Sequence, residues 1–195
     1  MYMINLILAS SSPFRRELLT RLGLPFACVA PELDETPLAE ETPQALVRRL
    51  AEGKARAVAV RHSDALIIGS DQVAVLDNKI IGKPGDHARA VEQLRAASGQ
   101  RVEFFTGLCL FDTFTGQVQV EVVPYAVVFR TLSEDLIENY LRREQPYHCA
   151  GAFRAEALGI VLFERLEGDD PNALIGLPLI RLVRMLEKFG INFLN

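Results

Sequence analysis

The sequence predicts an α/β fold built on a mixed central sheet flanked by helices. Three observations carry that expectation: short apolar runs alternate with stretches of helical periodicity, two long β-rich runs are joined by one tight turn, and no internal repeat or low-complexity tract interrupts the chain. With 195 residues, 49% of them hydrophobic and 24% charged, the chain can bury a substantial core. Residues 1–195 are therefore read as a single domain. Two lobes sharing the sheet around a cleft would bring its scattered polar loops together.

The opening run from Ile4 to Ala9 is short and apolar and ends in three serines, the pattern of a buried strand entering a turn. Ser12-Pro13 then starts a helix whose apolar face is Leu18, Leu19 and Leu22 and which Gly23 stops. Phe26 to Ala30 is a second apolar stretch, and the proline-bounded polar segment Pro31 to Pro37 that follows reads as an exposed loop. Thr42-Pro43 opens a helix running to about Arg61, with Leu46, Leu50 and Ala57 inward and Lys54 on another face. Ala65 to Gly69 is a buried strand that delivers Ser70, Asp71 and Gln72 at its end.

Lys79 to Pro84 is a short extended piece and turn, followed by a helix from Asp86 to Ala97 closed by Ser98-Gly99. The runs Arg101 to Phe111 and Gln117 to Arg130 form a hairpin. Ser133 to Arg143 is a helix, Leu158 to Glu164 a strand, Glu167 to Asn172 an acidic loop, and Gly176 to about Phe189 the last helix.

Composition excludes several functions. Twenty-one Lys and Arg against 25 Asp and Glu give a formal charge of -4, so no basic surface favours a nucleic-acid polymer, and an anionic ligand must be met locally. The three cysteines, Cys28, Cys109 and Cys149, have neither zinc nor redox spacing and read as buried thiols in a reducing cytosol. No apolar run approaches the roughly 18 residues of a membrane span, and Met1 to Pro13 lacks the pattern of a signal peptide, so no membrane contact and a cytoplasmic location are expected.

Several loops carry residues suited to phosphate chemistry. Ser10, Ser11 and Ser12 lead into a helix whose N-terminal N–H groups and dipole favour an anion. Arg15 and Arg16 sit in its first turn, where cations are unfavourable unless something negative lies nearby; a capped helix with two solvated arginines fits the same residues. Asp71, at the end of an apolar strand, can hold a metal or activate water, or can equally cap a turn. Glu32, Asp34 and Glu35 are acids on a loop, and Lys54 and Lys83 are cations that serve either a ligand or plain solvent. His62, His87 and His148 have no converging partners and are set aside.

In series, Ser10 to Leu19, Asp34-Glu35-Thr36-Pro37, Lys54-Ala55, Gly69-Ser70-Asp71-Gln72-Val73 and Gly82-Lys83-Pro84 closely resemble the Maf family of nucleotide pyrophosphatases. Thr106-Gly107, Tyr140, Cys149 to Phe153 and Asn172 to Leu179 extend the resemblance over almost the whole chain. It implies an inosine triphosphatase-like fold and cleavage of a nucleoside triphosphate to a monophosphate and pyrophosphate with a divalent metal, Mg²⁺ or Mn²⁺. It also implies that Asp71 is the proton acceptor, that Glu35 and Asp71 place the metal, and that Ser10, Ser12, Arg15, Arg16, Lys54 and Lys83 serve the phosphates.

Phe14, Gln72 and Glu156 resemble the branch acting on 7-methyl-GTP, a housecleaning activity against modified nucleotides. That branch often carries Trp where Phe14 stands, and an aromatic stacking role survives the change. Glu156 suits guanine, because a carboxylate accepts from the N–H edge of the base and favours the positive charge of a methylated purine. A dTTP and UTP pyrophosphatase, a broader modified-nucleotide enzyme and a non-catalytic nucleotide-binding regulator of cell division are the competing readings. A homodimer is a further expectation of the resemblance.

Overall fold

A computed structural model describes residues 5–194. They fall into two compact units, one formed by the chain up to Gln72, Thr106–Val123 and the chain from Asp170, the other by Val73–Phe105 and Pro124–Asp169. Ile4, expected in the first strand, lies outside the described residues.

The strands are β1 (Leu6–Ala9), β2 (Ala27–Cys28), β3 (Leu66–Leu76), β4 (Lys79–Ile81), β5 (Arg101–Asp112), β6 (Val118–Phe129) and β7 (Phe163–Glu167). They form one sheet in the order β2-β1-β3-β5-β6-β7, with β4 paired to β3. β1 runs parallel to both β2 and β3, whereas β4 on β3 and β7 on β6 are antiparallel, so the sheet is mixed as expected. β3, β5 and β6 each contribute residues to both units.

The helices are α1 (Pro13–Thr20), α2 (Pro43–Ala59), α3 (His87–Ala97), α4 (Glu134–Glu144), α5 (Pro171–Ile175) and α6 (Leu179–Glu187). Side-chain caps start most of them: Ser12, Thr42, Asp86 and Ser133 each accept the backbone N–H three residues on. α4 also has Glu134 and Asp135 in its first turn and Arg142 and Arg143 in its last, matching the helix dipole at both ends. Among the described residues no helix is long and apolar enough to cross a membrane.

In the first unit the period of two along each strand divides the core into two faces. Leu6, Leu8, Leu66, Ile68, Leu108 and Leu110 pack with Leu18 and Leu19 of α1 and Leu182, Met185 and Leu186 of α6. Ile7, Ala9, Ala65, Ile67 and Cys109 pack with Ala51, Ala55 and Val58 of α2. Small residues set the depth of that second contact. A Cβ on Gly69 would collide with the Ala51 carbonyl, and one on Gly107 with the Val47 carbonyl, so the α2 backbone lies directly over two bare strand positions. The second unit contains an aromatic cluster in which Phe153 meets Phe104, Phe129 and Phe163 edge-on at centroid distances of 5.6, 5.5 and 5.0 Å.

Five expectations need correction. β3 does not end at Gly69 but runs on to Leu76, because Val73 and Val75 favour extended chain and Ala74, Val75 and Leu76 pair with β4. The segment Leu158–Leu162 is a short 3-10 helix, and β7 begins only at Phe163. Its Gly159 N–H turns back to the Arg154 carbonyl at 3.1 Å, a fold incompatible with an extended run. The final helix, expected from Gly176 to about Phe189, covers only Leu179–Glu187, and a separate short helix, α5, precedes it and is ended by Gly176 with a φ of 116°. Asp170, placed by the sequence in an acidic loop, is 1% exposed: it accepts Asn172 N–H at 3.0 Å and Ile180 N–H at 2.7 Å and so caps both α5 and α6. Of the three thiols, Cys109 alone is buried; Cys28 on the two-residue strand β2 is exposed and Cys149 is half-buried.

Gly69→Ala and Gly107→Ala should each lower stability by about 1–3 kcal/mol, since the obstructing atoms are backbone and cannot rotate away. Urea unfolding measures this, and midpoints equal to the parent would contradict the close approach of α2.

Candidate functional site

β1 ends at Ala9, opposite Gly69 of the parallel β3, so the serine turn after β1 begins beside the point where β3 continues into Ser70-Asp71. Ser10 is buried, and its hydroxyl accepts Ser12 N–H at 3.1 Å; the Ser12 hydroxyl accepts Arg15 N–H at 3.3 Å. Each uses an acceptor site in this way, which leaves the O–H of both serines to donate to a ligand.

Lys54 is the centre of the arrangement. It lies on the buried face of α2, not on another face as expected, because Ala51 and Val58 share its side of the helix and the bare Gly69 lets that side settle on the sheet. The ammonium reaches Asp71 Oδ1 at 2.6 Å and Glu35 Oε1 at 2.8 Å. Lys54 and Asp71 are 6% and 7% exposed, whereas the Glu35 side chain stands in solvent, so the ion triad is dry at one end and open at the other.

Glu35 is held there by a loop that is tied to α2. Asp34 Oδ1 accepts both Thr36 N–H at 2.9 Å and the Thr36 hydroxyl at 2.6 Å, and these bonds hold the Asp34 carboxyl below its ordinary pKa. Arg49 donates to the Thr36 carbonyl at 3.1 Å and grips Glu41 with two bonds of 2.7 Å. Leu33 covers Gly53 of the same helix. The loop that composition reads as solvated polar chain is thus clamped, and Arg49 with Glu41 went unnoticed because nothing local marks two residues eight apart as partners.

Arg15 is positioned by its far end. Its Nε donates to the Gly176 carbonyl at 2.8 Å, and the Ser70 hydroxyl lies 2.8 Å from the same oxygen and 2.9 Å from the Gly107 carbonyl. Burial lowers the Arg15 pKa, while the fields of Asp71 and Glu35 oppose that shift. The expectation that first-turn arginines need nearby negative charge is met for Arg15 by these two acids. Arg16 is exposed, beside a surface hollow of about 500 Å³ also lined by Thr20, Phe26 and Cys28.

Gln72 is anchored more firmly than its sequence context suggests. Its amide nitrogen lies 2.6 Å from the Ala173 carbonyl, 3.1 Å from that of Leu174 and 3.0 Å from the Thr106 hydroxyl, so its donor side is engaged and only the amide oxygen remains for a ligand. Phe14 is half-buried on α1. In the second unit, Lys83 is exposed in the turn after β4, and Glu156 is exposed too, with Arg154 Nε 3.6 Å from its Oε1. Ser10, Ser12, Arg15, Glu35, Lys54, Asp71 and Gln72 thus belong to one unit, Lys83 and Glu156 to the other.

Chemically, the first unit offers two basic groups, two hydroxyls and two carboxylates that share one ammonium. Among the described residues no group of three or more His, Cys, Asp or Glu side chains converges as a metal set. A pair of carboxylates nevertheless fits Mg²⁺, which takes one or two protein carboxylates and completes its shell with water and substrate phosphates.

A family model described as Maf-like protein matches residues 5–189. The 7-methyl-GTP pyrophosphatase of Nitrosococcus oceani is 62% identical over 186 residues, covering 95% of this chain and 94% of that one. Among solved structures, the Ham1 protein of Staphylococcus aureus aligns over 96% of this chain and all of its own with a TM-score of 0.53 at 11% identity, a likeness of fold alone.

Lys54→Met should cost about 1–3 kcal/mol, because it strands a buried Asp71 carboxylate; the solvent at the Glu35 side keeps the loss below that of a fully dry pair. Lys54→Met combined with Asp71→Leu should be more stable than Lys54→Met alone. Equilibrium unfolding of the parent, both single variants and the double variant decides it, and strictly additive losses would show that the pair is not coupled.

Proposed function

The chain belongs to the Maf-like protein family, and on that premise we propose that it hydrolyses 7-methyl-GTP to 7-methyl-GMP and pyrophosphate, removing a modified nucleotide before it can be incorporated. The observation that carries the reading is the Lys54 ammonium shared between Asp71 and Glu35, with Arg15 fixed on Gly176 in the same unit. Near-complete alignment with the 7-methyl-GTP pyrophosphatase of Nitrosococcus oceani supports the substrate.

In this reading Arg15, Arg16, Lys54 and Lys83 bind the phosphates, aided by the hydroxyls of Ser10 and Ser12. A triphosphate offers Lys54 more negative charge than a single carboxylate does. As the ammonium turns to it, the Asp71 oxygen that Lys54 held becomes available to take a proton from the water attacking the α-phosphorus. Arg15 keeps its place through Gly176, so its remaining guanidinium nitrogens meet the charge growing on the phosphate without reorganising. Glu35 and Asp71 would hold a divalent cation, which when bound supplies neutralisation of phosphate charge. Phe14 stacks on the base, and the Gln72 amide oxygen and the Glu156 carboxylate accept from its N–H edge. The free thiols support a reducing, cytoplasmic setting.

Purified protein with Mg²⁺ should release pyrophosphate from 7-methyl-GTP faster than from GTP, UTP or dTTP. Asp71→Asn should lower kcat by about 10²–10⁴-fold while the fold is retained. Chelation should abolish turnover, and Mg²⁺ or Mn²⁺ should restore it. Preference for UTP or dTTP would overturn the substrate, and an active Asp71→Asn would overturn the assigned base. Failure to cleave any nucleotide with either metal would favour a nucleotide-binding regulator instead.

A further inference from the structure

The loop that carries Glu156 is held by charged and polar groups that the proposed reaction leaves unused. Arg154 N–H donates to the Tyr140 hydroxyl of α4 at 3.1 Å, which fixes the start of the loop on a fully buried side chain. The Arg154 carbonyl accepts Gly159 N–H at 3.1 Å and Ala157 N–H at 3.3 Å, drawing residues 155–158 into a tight turn. A Cβ on Gly159 would collide with that carbonyl, so this closure requires glycine there.

The side chains add a second layer. Glu144, the last residue of α4, accepts Leu158 N–H through Oε2 at 3.2 Å and pairs through Oε1 with Arg154 Nη1 at 3.1 Å. Arg154 Nε in turn stands 3.6 Å from Glu156 Oε1. The result is a row of carboxylate, guanidinium and carboxylate, with Glu144 the most enclosed member at 13% side-chain exposure and Glu156 more open at 25%.

The arithmetic of charge gives this row a purpose. Two carboxylates against one guanidinium leave a single excess negative charge. The guanidinium is closer to Glu144, the acid behind it, and its Nε meets Glu156 by charge at 3.6 Å and not by a hydrogen bond, so Glu156 is attracted to it without being neutralised. A carboxylate aimed by a rigid partner and still carrying net negative charge suits a cationic purine, whereas the same acid alone on a loop would have to be ordered at the moment of binding.

We infer that Arg154, backed by Glu144, is a positioning residue that aims the Glu156 carboxylate at the base and thereby sets the preference for a methylated, cationic purine over an unmethylated one. This rests on reading Glu156 as the residue that meets the base. Arg154 contributes to discrimination through KM and takes no part in the chemistry at phosphorus.

The test is kcat and KM for 7-methyl-GTP and for GTP in the parent protein, Arg154→Gln, Glu156→Gln and the double variant. In Arg154→Gln the ratio of kcat/KM between the two substrates should fall about tenfold, carried by KM, with kcat changed by no more than about twofold. The double variant should discriminate no worse than Glu156→Gln, because both changes remove one interaction. An equal loss on both substrates in Arg154→Gln, or losses that multiply in the double variant, would overturn the inference. If Glu156→Gln leaves the ratio unchanged, the base-reading role falls and this inference with it. If Glu156→Gln lowers the ratio and Arg154→Gln does not, only the positioning role falls. Should Arg154→Gln fail to fold, Glu144→Gln takes its place: it leaves the guanidinium to Glu156 alone, so a lower ratio supports the inference and an unchanged ratio overturns it.

Discussion

The depth at which α2 lies on the sheet governs the candidate site. Ordinary side chains at positions 69 and 107 would lift the helix, since the atoms they would meet are the backbone carbonyls of Ala51 and Val47. Lys54 sits one turn beyond Ala51 and reaches Asp71 at 2.6 Å only because that turn is seated on bare strand. The same helix anchors the Glu35 loop through Arg49, so one packing distance sets both acids against one ammonium. The glycines therefore shape the candidate site as much as the core.

A second fixed point is the Gly176 carbonyl. Asp170 caps α5 and α6 together, and between those helices the chain turns through a left-handed conformation that favours glycine, presenting its carbonyl to Arg15 and Ser70. A helix cap, a turn and a buried hydroxyl are thereby used to hold a guanidinium by one nitrogen. Catalytic electrostatics depend on donors that do not move when charge develops, and this arrangement supplies that stiffness from backbone geometry.

The sequence made the alternating elements legible because they depend on local signals: Ser12-Pro13 and Thr42-Pro43 begin helices, and the strand pairs on β1 and β3 alternate cleanly between two core faces. Where strand and loop chemistry coincide, the reading went astray. Ser70, Asp71 and Gln72 look like the end of a strand because polar residues follow an apolar run, yet β3 passes straight through them, their side chains satisfied by distant carbonyls and by Lys54. Asp170 looked like loop acid for the same reason, since no local pattern reveals that two helix ends converge on it. The acids and cations of the site could be nominated from residue type, but of their partners Gly176 lies far off in sequence, and Arg49 and Arg154, though nearer, carry no local mark.

A chain with a net charge of -4 must still admit a highly charged anion, and the pairing seen here suggests how. Buried ions are costly unless each has a counter-charge, so Lys54 cannot wait bare for a phosphate; it waits on Asp71 and Glu35. On the proposed reading, arrival of a metal-bound triphosphate exchanges partners: the basic group passes to the phosphate and the carboxylates to the cation. Little net charge enters the buried end of the site, so the desolvation cost is largely met before the substrate binds. A free triphosphate would take Lys54 and leave two acids facing each other and a polyanion. On that reading, dependence on a divalent cation follows from the ion triad itself, independently of any role the cation has in the chemical step.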